Sequence, residues 1–455
     1  MTKISKKYFG TDGIRGTANY FPMTADIALK VGMALGARFG ANYTQNSHRH
    51  RVVIAKDTRL SGYMIEPALT AGFVAMGLDV FLVGPLPTPA VAMLTRSLRA
   101  DIGIMISASH NPFIDNGIKI FNHQGKKLDD NIELEIEKMI DDNLEKYLAK
   151  PHELGRVKRL EDPRGRYIEF VKNTFPRDIS LANLKIVIDC ANGASYQIAP
   201  TILRELGAEV FEIGVEPNGM NINHNCGSTN PKTLQEKVLE VKADIGIALD
   251  GDADRLIIVD ELGKVIDGDI LIALIAEKLH NEGKLKKDLV VITKMSNGAL
   301  EEYLNYIGVS TIRTDIGDRY VLEEMAKQKS NFGGEQSGHI VLGDYSTTGD
   351  GLVAGLQILT LLAENPQKKI SEFAKIFQLN PQILVNVKFT ANNFKNPLSD
   401  PEILEFINKC EHELGSGRIL VRKSGTENLI RIMVEGKNLE QIKIIAEKIK
   451  KMIQK

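Results

Sequence analysis

Val52-Val-Ile-Ala-Lys-Asp-Thr-Arg-Leu-Ser-Gly62 is a β-branched run that breaks into a polar, glycine-ended turn and continues into a helix-like stretch. Ile186-Val-Ile-Asp-Cys-Ala-Asn-Gly193 and Val290-Val-Ile-Thr-Lys-Met-Ser-Asn-Gly298 repeat the pattern. β-Branched residues fit a buried strand, and asparagine and glycine fit the turn after it. A strand feeding a helix, met three times, predicts three related α/β domains with mixed sheets. The remainder reads differently. Ile383–Phe389, Arg418–Arg422 and Leu429–Val434 read as strands, and Ile442, Ile445, Ile449 and Met452 fall at helical spacing. This predicts a smaller α+β domain at the C-terminal end. The expected boundaries are 1–155, 156–258, 259–370 and 371–455, with the four domains set around a central cleft.

At 455 residues the chain is too long for one core. Its apolar share of 43% and charged share of 25% are ordinary for a soluble globular protein. A net charge of −1 gives no footprint for nucleic acid or an anionic membrane. Cys190, Cys226 and Cys410 are isolated, with neither metal spacing nor a disulfide framework. No apolar run has the length of a membrane span, and Met1-Thr-Lys-Ile-Ser-Lys-Lys has no signal core behind it. A reduced, cytoplasmic protein is expected.

Five further stretches carry chemistry. The apolar run Ile102-Gly-Ile-Met-Ile106 stops at Ser107-Ala-Ser109-His110-Asn-Pro112, which delivers a hydroxyl and an imidazole to the rim of a sheet. Lys119 follows on what reads as the next strand. Asp250, Asp252 and Asp254 lie between two apolar runs, with Arg255 adjacent. Three carboxylates so close repel unless they wrap a hard cation. An EF-hand loop is excluded because Arg255 stands where glycine is required. An aspartyl-phosphatase site, with Asp250 as nucleophile, and a Mg²⁺ site beside a phosphate both remain open.

Gly333-Gly-Glu335-Gln-Ser337-Gly-His339 offers donors and acceptors on a backbone that can approach a sugar closely. Gly349-Asp-Gly351 reads as a loop capped into a helix by Asp350, not as a nicotinamide-cofactor fingerprint. Arg422-Lys-Ser424-Gly425-Thr426-Glu-Asn428, with Arg431 beyond, gathers cations, hydroxyls and a glycine into a phosphate cradle. Phe9-Gly-Thr-Asp-Gly-Ile-Arg15-Gly16 sets a lone arginine among glycines.

In this order, and over essentially the whole chain, these motifs resemble the α-D-phosphohexomutase superfamily. Glu335–His339 and Ser346–Leu356 resemble its glucosamine branch. The resemblance implies that Ser109 is a phosphoserine. It implies that Asp250, Asp252 and Asp254 hold one Mg²⁺ with a phosphoserine oxygen. Arg15 and Lys119 would assist proton transfer, with His110 in a supporting role. Arg255, Asp318, Arg319, Glu335, Ser337 and His339 would contact the substrate. Arg422, Ser424, Gly425, Thr426 and Arg431 would take its non-reacting phosphate.

The implied reaction interconverts glucosamine 6-phosphate and glucosamine 1-phosphate, feeding UDP-N-acetylglucosamine synthesis. Glucose or glucosamine 1,6-bisphosphate would be the activator, and the chain would act as a monomer or homodimer. A phosphomannomutase/phosphoglucomutase of the same superfamily is the nearest alternative; an aspartyl-nucleophile sugar phosphatase is the next. A base role for Lys119 would need a lowered pKa. Asn428 departs from the superfamily's usual proline, which leaves the phosphate loop less rigid.

Overall fold

The computed structural model describes residues 6–10, 12–40, 49–388, 400–415, 417–423 and 429–454. They form two compact units, Met1–Thr293 with Gly308–Ile376, and Lys294–Ile307 with Phe377–Lys455.

The first unit holds three sheets. The first comprises β1 (Ile14–Thr17), β2 (Arg51–Lys56), β3 (Asp79–Pro85), β4 (Ile102–Ile106), β5 (Asp115–Asn122) and β6 (Val157–Arg159), in the order β1-β5-β4-β2-β3-β6. The second comprises β7 (Lys185–Asp189), β8 (Glu209–Ile213), β9 (Ile245–Leu249), β10 (Leu256–Asp260) and β11 (Val265–Ile266), in the order β11-β10-β9-β7-β8. The third comprises β12 (Leu289–Thr293), β13 (Ser310–Thr314), β14 (Phe332–Gly334) and β15 (Ile340–Leu342), in the order β13-β12-β14-β15.

One plan underlies all three. The strand carrying the repeated sequence, β2, β7 or β12, is central and pairs in parallel on both sides. The neighbouring strand, β4, β9 or β14, then turns back into an antiparallel partner, β5, β10 or β15. Every residue of β4, β9 and β14 is buried. Continuous apolar runs such as Ile102–Ile106 therefore mark strands covered on both faces, not half-exposed strands with alternating pattern.

The second unit is built on the antiparallel sheet of β16 (Gln382–Lys388), β17 (Arg418–Lys423) and β18 (Leu429–Glu435), in the order β16-β18-β17. Val387, Ile430, Ile432 and Val434 pack with Ile442, Ile445 and Ile449 of the closing helix Leu439–Gln454, the apolar face expected from the 3.6-residue spacing. Met452 packs at the edge of this cluster. The helix Gly298–Tyr306 belongs to this unit: Gly298 N donates to Glu435 Oε1 at 2.8 Å, and the Tyr303 ring stacks on Phe377 at 5.2 Å.

Candidate active site

The three equivalent hairpins of the first unit each carry a candidate loop at the same place. Ser107–Ile114 joins β4 to β5, Asp250–Arg255 joins β9 to β10, and Glu335–His339 joins β14 to β15. The repeated sequences mark the central strands, and the chemistry sits one strand over.

In the first loop Ser109 is 2% exposed and adopts a left-handed φ of 52°, uncommon for a residue with a side chain. Its amide donates to Ser107 Oγ at 2.9 Å, and Ser107 Oγ donates to Asp57 Oδ2 at 2.7 Å. Ser107 is thus committed to shaping the loop. Ser109 Oγ points the other way and donates to Asp250 Oδ2 at 2.6 Å. His110 Nδ1 lies 3.2 Å from the same hydroxyl. Burial, with the Arg255 and Arg15 charges nearby, pushes the His110 imidazole down to about 3, so it is neutral at physiological pH.

The second loop brings Asp250, Asp252 and Asp254 together, with one carboxylate oxygen from each within 4.8 Å of the others. All three are buried. Burial, reinforced by Asp254 and Asp252, pushes the Asp250 carboxyl up to about 8. Burial acts on Asp254 in the same sense, but Lys119, His339 and Arg255 outweigh it and hold that carboxyl well below the usual range. Among the described residues, Asp252 Oδ1 and Asp254 Oδ1 are buried without a hydrogen-bond partner. An oxygen-only set with two orphaned carboxylate oxygens fits a hard divalent cation such as Mg²⁺. Thr88, at the N-terminus of the helix Thr88–Ser97, donates its hydroxyl to Asp252 Oδ2, and its amide donates to Asp252 O at 2.9 Å. A helix N-terminus suits that negative charge.

Lys119, on β5, reaches across with Nζ at 2.6 Å from Asp252 Oδ2 and 3.0 Å from Asp254 Oδ2. Burial alone would lower this ammonium. Asp12, Asp252 and Asp254 outweigh it and hold Lys119 well above the ordinary lysine value. Lys119 stands here as a counter-cation to the aspartates.

A second tier of charges surrounds these groups. Arg15 pairs with Asp12, whose carboxylate also pairs with Lys127 and lies 3.5 Å from Lys119 Nζ. Lys127 pairs in turn with Asp318. His339 bridges the tiers, with Nδ1 3.7 Å from Asp254 and Nε2 3.6 Å from Asp318. Arg255 donates its amide to Asp250 Oδ1 at 3.2 Å. Glu335 accepts the Gly317 amide at 3.0 Å, and Ser337 is exposed on the same loop. Arg319 is held by Asp130 at 2.7 Å and Glu323 at 2.8 Å. Asp350 caps the helix Gly351–Glu364 as expected, accepting from Leu352 N and Val353 N. Arg422 and Arg431 face each other across β17 and β18 of the second unit. Ser424, Gly425, Thr426 and Asn428 lie outside the described residues.

Four models of one family match the chain in order. They are the phosphoglucomutase/phosphomannomutase α/β/α domains I, II and III, at residues 6–147, 165–263 and 267–379, and the C-terminal domain, at 384–452. The chain belongs to the phosphoglucomutase/phosphomannomutase family. Its similarity to a phosphoglucosamine mutase of Agrobacterium fabrum is 57% identity, spanning 97% of this chain and 97% of that protein. The fold also matches a phosphoglucomutase/phosphomannomutase family protein of Burkholderia thailandensis, with TM-score 0.81 and 24% identity, covering 98% of this chain and 97% of that one. An Aspergillus fumigatus N-acetylphosphoglucosamine mutase in complex with GlcNAc-6P and magnesium matches with TM-score 0.68 and 17% identity, covering 99% and 96%.

Sequence reading overlooked several residues at the site of this phosphohexomutase. Thr88 sits in an unremarked Pro-Leu-Pro-Thr-Pro run, and Lys127 stands beside a second surface-like lysine. Asn223 Nδ2 donates to Ser109 O at 2.9 Å from a loop with no motif of its own. Arg59 was visible only as part of the turn after β2. The one available signal was its placement, with Asp57, in that repeated turn.

Proposed function

We propose that this chain is a phosphoglucosamine mutase, interconverting glucosamine 6-phosphate and glucosamine 1-phosphate through phosphorylated Ser109 and a 1,6-bisphosphate. The observation that carries the reading is Ser109 Oγ at 2.6 Å from Asp250, on the rim of the three-carboxylate loop. A carrier hydroxyl directed at the metal-binding carboxylates is the arrangement phosphoryl transfer needs. The 57% identity to a phosphoglucosamine mutase supports the choice of sugar.

In the forward direction the sugar O1 attacks phosphorus, the bond from phosphorus to Ser109 Oγ breaks, and the O1 proton ends on the departing Oγ. The bisphosphate turns around. Ser109 Oγ then attacks the 6-phosphate, the bond from phosphorus to O6 breaks, and the serine proton ends on O6. Asp250, Asp252 and Asp254 would hold Mg²⁺, which when bound neutralises charge on the transferring group. Lys119, entering as an ammonium, and Arg15 add positive charge on the same side. Neutral His110 places Nδ1 within hydrogen-bond reach of Ser109 Oγ, at 3.2 Å. Glu335, Ser337 and His339 take sugar hydroxyls, with Arg255, Asp318 and Arg319 ordering the surrounding charges. Arg422, Ser424, Gly425, Thr426 and Arg431 take the non-reacting phosphate. Glucose or glucosamine 1,6-bisphosphate primes Ser109. A reducing cytoplasm suits the three unbridged, buried cysteines.

Ser109→Ala should lower mutase turnover on the order of 10³-fold or more, since it removes the covalent carrier. Intact mass of the wild type should show one phosphoryl group, mapped to Ser109. Turnover near wild type in the variant overturns the assignment. Relative kcat/KM on glucosamine, glucose and mannose phosphates separates this activity from that of a phosphomannomutase/phosphoglucomutase.

A further inference from the structure

Arg59 stands in the turn after β2 with its side chain fully enclosed. A guanidinium has five N–H donors in one plane, and here all five are engaged. Nε donates to Asp57 Oδ2 at 2.7 Å. Nη1 donates to the Pro112 carbonyl and, at 2.9 Å, to that of Asp115. Nη2 donates to the carbonyls of Ser109 and Asn111, both at 2.9 Å. Four carbonyls from Ser109 to Asp115 are thereby turned inward on a single cation.

Such carbonyls repel one another, and the conformation holds only while the charge sits among them. Asn223, from the loop before the helix Lys232–Val241, adds Nδ2 to two of the same acceptors, Ser109 O at 2.9 Å and Asn111 O at 3.1 Å. Asp57 completes the arrangement, accepting the Arg59 amide at 3.0 Å and the Ser107 hydroxyl at 2.7 Å. Every donor of Arg59 is committed, so none is left for a substrate phosphate. Apart from Asp57, every acceptor lies in the segment that carries Ser109.

We propose that Arg59, supported by Asn223, is a positioning residue that sets Ser109 Oγ against the Asp250 loop, and that it governs the rate of phosphoryl transfer while leaving sugar-phosphate binding alone. The proposal rests on Ser109 being the phosphoryl carrier. The left-handed Ser109 is the conformation this clamp imposes. Lysine cannot substitute, because one ammonium has neither five donors nor the plane that meets four carbonyls at once.

The test uses Arg59→Lys, Arg59→Ala and Asn223→Ala in the full chain with Mg²⁺, with kcat and KM measured separately and melting followed in parallel. A misplaced reacting group should lower kcat for Arg59→Lys on the order of 10²-fold. KM should change by less than about threefold. Asn223→Ala, which removes only the outer pair of bonds from a partly exposed position, should lose about 10-fold in kcat. Millimolar guanidinium should restore turnover to Arg59→Ala and do nothing for wild type or Ser109→Ala.

A rise in KM with kcat intact overturns the proposal, as does a loss of activity in Arg59→Lys and Asn223→Ala no greater than the loss of folded protein. If Arg59→Ala does not fold, Asn223→Ala and Arg59→Lys decide the matter. Failure of the carrier assignment shows itself separately, as wild type without phosphate at Ser109 and a Ser109→Ala variant that still turns over.

Discussion

The loops Ser107–Ile114 and Asp250–Arg255 occupy the same place in two related sheets, yet they are fastened by opposite means. The first is the longer, and one buried side chain, Arg59, reaches into it and gathers four carbonyls. The second is short and is held by backbone. Ala194 N donates to Gly251 O at 2.8 Å, and a Cβ on Gly193 would sit 2.4 Å from that same oxygen. In both cases the fastening comes from the turn after the central strand, β2 or β7. A loop that presents a hydroxyl needs its backbone shaped from within. A loop that presents three charges needs close packing from behind and cations in front, supplied by Lys119.

The comparison breaks first at the charged loop. Asp252→Asn removes a carboxylate from the proposed metal set, together with the negative charge that pairs with Lys119. Turnover should fall by at least about 10²-fold, with a matching loss of Mg²⁺ affinity in a metal titration. An unchanged metal affinity would place the ion elsewhere.

Gly193→Ala tests the backbone fastening. The 2.4 Å approach leaves no room for a methyl group, so unfolding should show a loss of about 1–3 kcal/mol. The Mg²⁺ affinity should drop while Ser109 remains available for phosphorylation. If the variant is as stable as wild type, the two turns are not performing equivalent tasks.

The smallest effect concerns pH. Asp189, at the end of β7, accepts the amides of Ala191 at 2.8 Å and Gly227 at 2.6 Å, and burial pushes its carboxyl up from 3.8 to about 6. The folded chain then holds this proton more tightly than the unfolded one. Its contribution is complete below the unfolded value near 3.8 and is lost as pH rises through about 6. Asp189→Asn should flatten the stability profile across that window, by at most about 1.4 kcal/mol per pH unit. A profile identical to wild type would mean that Asp189 titrates normally.

Much of this was legible in the chain. The repeated β-branched segments are the central strands of three sheets, and the unbroken apolar runs before Ser107 and Asp250 are the fully buried β4 and β9. The aspartate spacing marked a charged loop because like charges leave a local signature. Asn223 and Thr88 left none. Their partners are backbone carbonyls, or a carboxylate more than a hundred residues away, and neither alters local composition. Arg59 showed only its place beside Asp57 in the repeated turn, because its carbonyl partners lie in a separate segment of the chain. Lys119 was visible as a strand residue, but its raised pKa depends on Asp12, brought beside it by the pairing of β1 with β5. The inclusion of Lys294–Ile307 with the C-terminal unit is likewise a long-range matter that no local pattern records.

The lysine that faces the aspartates also bears on biosynthesis. Three buried carboxylates would ordinarily oppose collapse of a newly made chain. Lys119 supplies an internal counter-ion from β5, a strand completed earlier in synthesis than the loop it neutralises. The carboxylate loop can therefore be buried with its own counter-cation before any metal arrives. With Mg²⁺ at the proposed site, chelation should silence the enzyme without melting it, and activity should return when Mg²⁺ is restored.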